Sequence, residues 1–194
     1  MIGPFDADDD ATPITPEERN GLIPTHVTLR HELNELEQQN ILDADQWAFA
    51  RKRNVLDESF LRGLHRRMFG RVWRWAGDYR TSERNFGIES YRIQPELRQL
   101  LDDARYWVEN NTYAPDEIAV RFHHRLVSIH PFPNGNGRWS RMAADLLIVR
   151  LEGARFTWGS ANLQAAGDMR RAYIDALHAA DDHDIRPLLT FARS

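Results

Sequence analysis

Apolar residues recur at three- and four-residue spacing along most of this chain, and that period restricts it to packed helices before any other property is considered. Phe60, Leu61, Leu64, Met68, Phe69, Val72 and Trp73 make one such stripe. The same spacing predicts helices over about 95–110, 115–130, 138–151 and 168–180, with a last one running through Pro187 to Ala192. Upstream, Leu29, Leu33, Leu36 and Ile41 predict a helix of two to three turns, and Trp47, Phe49 and Ala50 continue the helical pattern. The period fails between Gly77 and Pro95, where Gly87 stands between Phe86 and Ile88. That interval reads as a short β-hairpin flap near residues 81–93. The expected fold class is all-α, a helical bundle with one small hairpin.

Composition narrows the function classes. The chain has 194 residues, 42% of them hydrophobic, with six Trp, nine Phe and five Tyr, enough for one sizeable core. It has no cysteine, which removes a thiol nucleophile, a thiolate metal site and a disulfide framework, and makes a reducing cytoplasm the simplest location. No run approaches the roughly 18 apolar residues that would span a bilayer. Twenty-five basic against 29 acidic side chains give a net charge of −4, with no dominant basic stripe, so direct nucleic-acid binding is not expected. Residues 1 to about 27 carry four Pro and the run Asp8-Asp9-Asp10, and read as an extended arm. Thr15-Pro16-Glu17-Glu18 within it has the form of a helix start.

One segment departs from the helical background: His130-Pro131-Phe132-Pro133-Asn134-Gly135-Asn136-Gly137-Arg138-Trp139-Ser140-Arg141. Pro131 disfavours the α region at His130, so one helix must end with an imidazole at its tip. The next begins near Arg138. Gly135 and Gly137 allow backbone N–H groups to turn inward at a helix start, where the dipole and the unpaired donors favour an anion. Arg138 and Arg141, three apart, share a face of the first helical turns. A glycine-rich turn alone is most often only a turn, and a histidine beside proline most often a capping or surface residue. Together they form a working set: a base, an anion nest and two forked cations suited to a phosphate chain.

The string His130-x-Phe132-x-Asn134-Gly135-Asn136-Gly137-Arg138-x-x-Arg141 resembles the signature of the Fic family, His-x-Phe-x-(Asp or Glu)-Gly-Asn-Gly-Arg-x-x-Arg, in seven of eight defined positions. His65-Arg66-Arg67-Met68-Phe69 with Trp75-Ala76-Gly77-Asp78-Tyr79-Arg80 resembles the family's first core helix and the approach to its flap. Tyr173 to Pro187 is similar to its closing segment. Gly21-Leu22-Ile23-Pro24 and Glu37-Gln38-Gln39-Asn40-Ile41 are also similar to a bacterial subgroup known as mobile mystery protein B. The resemblance divides the chain into a regulatory arm with helices, 1–54, and a Fic core, 55–194.

That resemblance implies a protein adenylyltransferase, in which a target hydroxyl attacks the α-phosphorus of ATP and pyrophosphate leaves. His130 would be the general base. Gly135, Asn136 and Gly137 would supply the anion hole, Arg138 and Arg141 would hold the β and γ phosphates, and Tyr173 and Asp181 would line the nucleoside pocket. The small Gly137 favours nucleotidyl transfer, since a kinase branch of the family has Lys there. Asn134 is the departure: members that bind Mg²⁺ have Asp or Glu at this place, and a neutral amide oxygen is a weaker ligand for a hard cation. In the flap, Phe86 and Ile88 would clamp an extended segment of the target, or else fill the core beneath it.

Many family members carry an inhibitory (Ser or Thr)-x-x-x-Glu-(Gly or Asn) helix. Thr15 to Gly21 holds the pieces out of register, with Glu18 the candidate to pair with Arg141, and Thr28-x-x-x-Glu32 meets only half of the pattern. Alternatives to adenylyl transfer stay open: another nucleotide or phospho-donor, removal of AMP, or a metal-impaired protein that binds nucleotide without transfer. The target protein is not named by the sequence, nor is the oligomeric state, since a Pro-rich arm could equally bind a neighbouring copy.

Overall fold

The computed structural model describes residues 20–24, 30–83, 86–160 and 166–194. Its helices are α1 (Arg30–Phe49), α2 (Glu58–Phe69), α3 (Ile93–Asn110), α4 (Pro115–Ile129), α5 (Asn136–Arg150), α6 (Ala166–Asp181) and α7 (Arg186–Arg193), with a 3₁₀ turn at Ser90–Arg92. The two early apolar patterns belong to one 20-residue helix, α1. The Thr15 helix start and Glu18 lie outside the described residues, as does Thr28.

Local side-chain and backbone chemistry sets several helix ends. Asp57 caps α2 by accepting from the Phe60 N–H at 2.8 Å, and its hydrogen bonds with Ser59 and Phe60 hold its carboxyl below the usual range. Asn111 ends α3 in the left-handed conformation, and Pro115 opens α4. The stripe from Phe60 does not stay helical to Trp73: Gly70 closes α2, and Val72 and Trp73 enter the core from the turns that follow. That turn also holds the end of the arm, through Ile23 N–H to the Val72 carbonyl and Arg74 N–H to the Gly21 carbonyl, both 2.8 Å.

Helix α4 is the centre, packing against α3, α5 and α7, while α2 lies between α1 and α5. Leu61, Leu64, Met68, Phe69, Leu100, Phe122, Leu126, Phe132 and Trp139 fill the space between them. The loop from His130 to Gly135 therefore emerges from the middle of the core, with Phe132 buried in it. Among the described residues no helix is long and apolar enough to cross a membrane.

The expected hairpin is not present among the described residues of 81–93. Residues 86–88 form a bend, 90–92 a 3₁₀ turn, and α3 starts at Ile93. Two strands without a third, or a helix to pack on, are marginal in water, and here the segment is held by side chains instead of a ladder. The Glu83 carboxylate accepts from both the N–H and the hydroxyl of Ser90, at 3.1 and 2.9 Å, and the buried Arg80 guanidinium gathers the carbonyls of Ser82 and Ile88.

Candidate functional site

The site is built on the turn between α4 and α5. His130 closes α4 in the left-handed region, φ 51° and ψ 60°, with its N–H on the Leu126 carbonyl at 3.1 Å. Pro131 blocks helix continuation, and this conformation turns the imidazole away from the axis of α4. The His130 carbonyl accepts from Arg80 Nε at 2.7 Å, and the Arg80 N–H donates to the Pro131 carbonyl at 2.9 Å. Arg80, with a fully buried side chain, thus ties the flap segment to the backbone of the candidate base. Gly87 is the second tie. Its φ is 95°, and a Cβ there would stand 2.6 Å from His130 Cβ, so only glycine lets the flap pass this close.

Below His130, Phe132 is buried and stacks on His65 with ring centroids 3.7 Å apart. His65 Nδ1 accepts the Gly77 N–H at 3.0 Å, so its proton sits on Nε2, which donates to the Asn134 carbonyl at 3.0 Å. Burial pushes the His65 pKa down to about 3, against that hydrogen bond and with help from the Arg138 charge. An imidazole that is neutral at ordinary pH therefore fixes the loop carbonyl. The Asn136 side chain is turned inward, accepting from the Phe132 N–H at 2.9 Å and donating to the Phe132 carbonyl at 2.8 Å. Only the backbone of Asn136 remains to serve a ligand.

Gly135 caps α5 at φ 79°, and a Cβ on it would meet the Phe69 ring at 2.5 Å. The first-turn N–H groups of Asn136, Gly137 and Arg138 have no helical carbonyl to bond, which leaves them for an anion. The Gly135 N–H is already taken by Asn134 Oδ1 at 2.5 Å. Of the three expected anion-hole amides, two lie in the open first turn and the third is capped by the side chain at the metal position.

The two arginines are held by opposite walls. Arg138 pairs with Glu37 of α1 at 2.7 Å and lies over the Phe69 ring at 4.8 Å. Arg141 lies over the ring of Tyr173 on α6 at 5.4 Å. Glu37 is only 5% exposed, and its other oxygen accepts from Trp73 Nε1 at 2.6 Å. Among the described residues it is the carboxylate that pairs with Arg138, a contact the sequence did not assign. Leu33-x-x-x-Glu37-Gln38 has the inhibitory spacing but neither flanking residue of the pattern, which is why Glu37 was legible only as part of a subgroup string. Arg80 and His65 were likewise visible only as pieces of the resemblance, because their partners lie 50 and 69 residues away.

The remaining expected residues divide. Phe86 is 64% exposed, whereas Ile88 packs against the core. Asp181 accepts from His124 Nε2 at 2.8 Å at the exposed end of α6. Tyr173 bonds His123 Nε2 through its hydroxyl at 3.0 Å.

Residues 55–148 match the family model described as Fic/DOC. The protein adenylyltransferase Fic of Aedes aegypti is 30% identical over 132 residues, which cover 66% of this chain and 25% of that protein. Protein adenylyltransferase fic-1 of Caenorhabditis briggsae is 32% identical over 133 residues, 66% of this chain and 25% of its own length. The chain thus spans about a quarter of the length of the curated relatives it matches. Among solved structures, the BepC effector of Bartonella tribocorum with bound AMPPNP superposes with a TM-score of 0.67 at 20% identity, over 92% of this chain and 97% of that one.

Proposed function

The chain belongs to the Fic/DOC family, and from that premise we propose that it transfers AMP from ATP to a hydroxyl side chain of a target protein. The observation that carries the proposal is the arrangement around one turn. A histidine at a helix tip is held beside an open helix N-terminus, with two arginines on the following turns of that helix. His130 takes the proton of the target hydroxyl, and the oxygen attacks the α-phosphorus. The bond from that phosphorus to the bridging oxygen breaks, and pyrophosphate leaves against the N–H groups of Asn136 and Gly137 and the guanidiniums of Arg138 and Arg141. Donors already oriented by folding cost little reorganisation as charge builds on the leaving group. The AMPPNP bound by the Bartonella tribocorum neighbour supports a triphosphate as ligand here.

The side chain at position 134 does not suit a divalent cation. The amide oxygen of Asn134 is neutral and faces the Gly135 N–H. Among the described residues no group of three or more His, Asp or Glu side chains could hold a metal. Mg²⁺ then belongs to the substrate, carried on the triphosphate, and the chain supplies cationic arginines instead of a carboxylate.

The target segment would approach over the flap, with exposed Phe86 as the apolar contact. Regulation would come from residues 1–54 through Glu37, which competes with phosphate for Arg138. Incubating the purified chain with labelled ATP, alone and with candidate targets, beside His130→Ala, tests the reading. Label incorporated by the native chain and lost in the variant is the expected result. Nucleotide binding by both with transfer by neither would favour a binding protein instead.

A further inference from the structure

The charged side chain of Arg80 has no exposed surface, and each of its nitrogens serves a backbone carbonyl. Nε donates to His130 at 2.7 Å, Nη1 to Ser82 at 3.0 Å and Nη2 to Ile88. The Ile129 carbonyl lies 3.5 Å from Nη2, and the Glu83 carboxylate stands at the rim, 3.9 Å from Nη1. The Arg80 backbone N–H adds the Pro131 carbonyl at 2.9 Å. A guanidinium taken out of water needs its N–H groups satisfied, and moving one carbonyl away strands a charged donor. The acceptors are therefore held together as a set.

Two of these carbonyls flank the candidate base. The peptide from Ile129 to His130 fixes φ of the histidine, and the peptide from His130 to Pro131 fixes ψ. At φ 51° and ψ 60°, His130 is in a left-handed conformation that a residue with a Cβ keeps only where its surroundings impose it. Holding both peptides fixes the Cα–Cβ bond that aims the imidazole. The other two carbonyls, of Ser82 and Ile88, belong to the flap segment. There a Cβ on Gly87 would stand 2.6 Å from His130 Cβ and 2.9 Å from Arg80 Nη2. One guanidinium thus sets both the direction of the base and the place of the segment beside it.

We propose that Arg80 is a positioning residue that locks His130 in its left-handed conformation and clamps the flap beside it, so that base and target-binding segment are held as one unit. This rests on the reading of His130 as the base and of the flap as the approach of the target. The nucleotide phosphates are left to another element, the first turns of α5, so Arg80 acts on turnover and not on nucleotide affinity. Lysine is no substitute. Its three N–H groups radiate from one nitrogen and cannot span carbonyls that a guanidinium reaches from three.

The test compares the full chain with Arg80→Lys, Gly87→Ala and His130→Ala by AMPPNP titration, label transfer at saturating ATP, and hydrogen exchange resolved by peptide. Arg80→Lys is expected to slow transfer roughly 10- to 100-fold, as for a base displaced by about an ångström, and to leave AMPPNP affinity within about twofold. Exchange should quicken roughly tenfold in both 81–91 and 126–134 and stay native in 96–108 of α3. A merely structural role would instead quicken exchange throughout and weaken AMPPNP along with transfer. Gly87→Ala leaves Arg80 in place and pushes an exposed stretch of the flap off His130, so it tests the clamp even if Arg80→Lys does not fold. It should slow transfer with AMPPNP affinity unchanged. Native transfer in either variant would overturn the proposal, as would quickened exchange in only one of the two segments of Arg80→Lys. If His130→Ala transfers like the native chain, or the native chain transfers nothing, the reading of His130 as the base fails instead, and the exchange of the two segments still decides whether Arg80 joins them.

Discussion

At position 134 a single atom decides how the site handles charge. The Asn134 oxygen lies on the Gly135 N–H, an interaction that a carboxylate would also make but at the cost of placing a negative charge against the anion nest. A divalent cation would offset that charge, so Asn134→Asp should raise transfer at high Mg²⁺ and depress it when the cation is scarce. Measuring transfer across a Mg²⁺ titration for both proteins checks this, and superimposable curves would refute it. The two glycines of the same turn make a second contrast. Gly135→Ala puts a methyl into the Phe69 ring at a left-handed φ and should cost about 1–3 kcal/mol of stability. Around Gly137 a Cβ meets nothing within 4 Å, and the residue is helical. Gly137→Ala should therefore melt at or above the native temperature, by up to about 1 kcal/mol of helix propensity, yet transfer less because the methyl stands in the path of the phosphate. Thermal melts beside transfer rates separate the two.

Helix α1 and the flap segment show which elements a sequence discloses. The helices were legible because each buries one face, and burial writes a 3.6-residue period into the chain whatever the partner is. The 3₁₀ turn and the flap conformation were not, since they depend on Arg80 gathering carbonyls from Ser82, Ile88 and His130, and a guanidinium's choice of acceptor leaves no periodic trace. The motif turn was legible through its glycines as a candidate anion site, but the carboxylate paired with its first arginine was not. Glu37 meets Arg138 across 101 residues, and nothing local marks it among the acids of α1. Its two oxygens predict two different variants. Glu37→Gln keeps an acceptor for the Trp73 indole and removes the charge on Arg138, so it should leave the melting temperature close to native and raise affinity for AMPPNP several-fold. Glu37→Ala also strands a buried indole N–H, at about 1–3 kcal/mol. Calorimetric titration and melts on both would show it, and native-like affinity in Glu37→Gln would reduce Glu37 to an anchor for Trp73.

Across the whole molecule, the site is suspended between two buried neutral histidines. His65 holds the loop from the α2 side, and His123 stands behind Arg141 on the α6 side, each with its pKa pushed down to about 3 chiefly by burial. Unfolded, both would titrate near 6.5, so the unfolded chain binds protons that the folded one refuses. The stability they allow is complete above about pH 6.5 and is lost as pH falls from there toward 3, at up to about 1.4 kcal/mol per pH unit for each histidine. Asp145 acts in the opposite sense, since burial raises its pKa, while the depressed carboxyl of Asp57 adds to the acid loss only at still lower pH. The urea midpoint should accordingly fall between pH 6.5 and 4.5, less steeply than two histidines alone would give because Asp145 opposes them. His123→Gln, whose amide can still hydrogen-bond the Tyr173 hydroxyl, should remove about half of that slope while keeping the fold at pH 7.5. A slope unchanged by the substitution would mean that His123 takes up its proton in the folded state near its ordinary pKa.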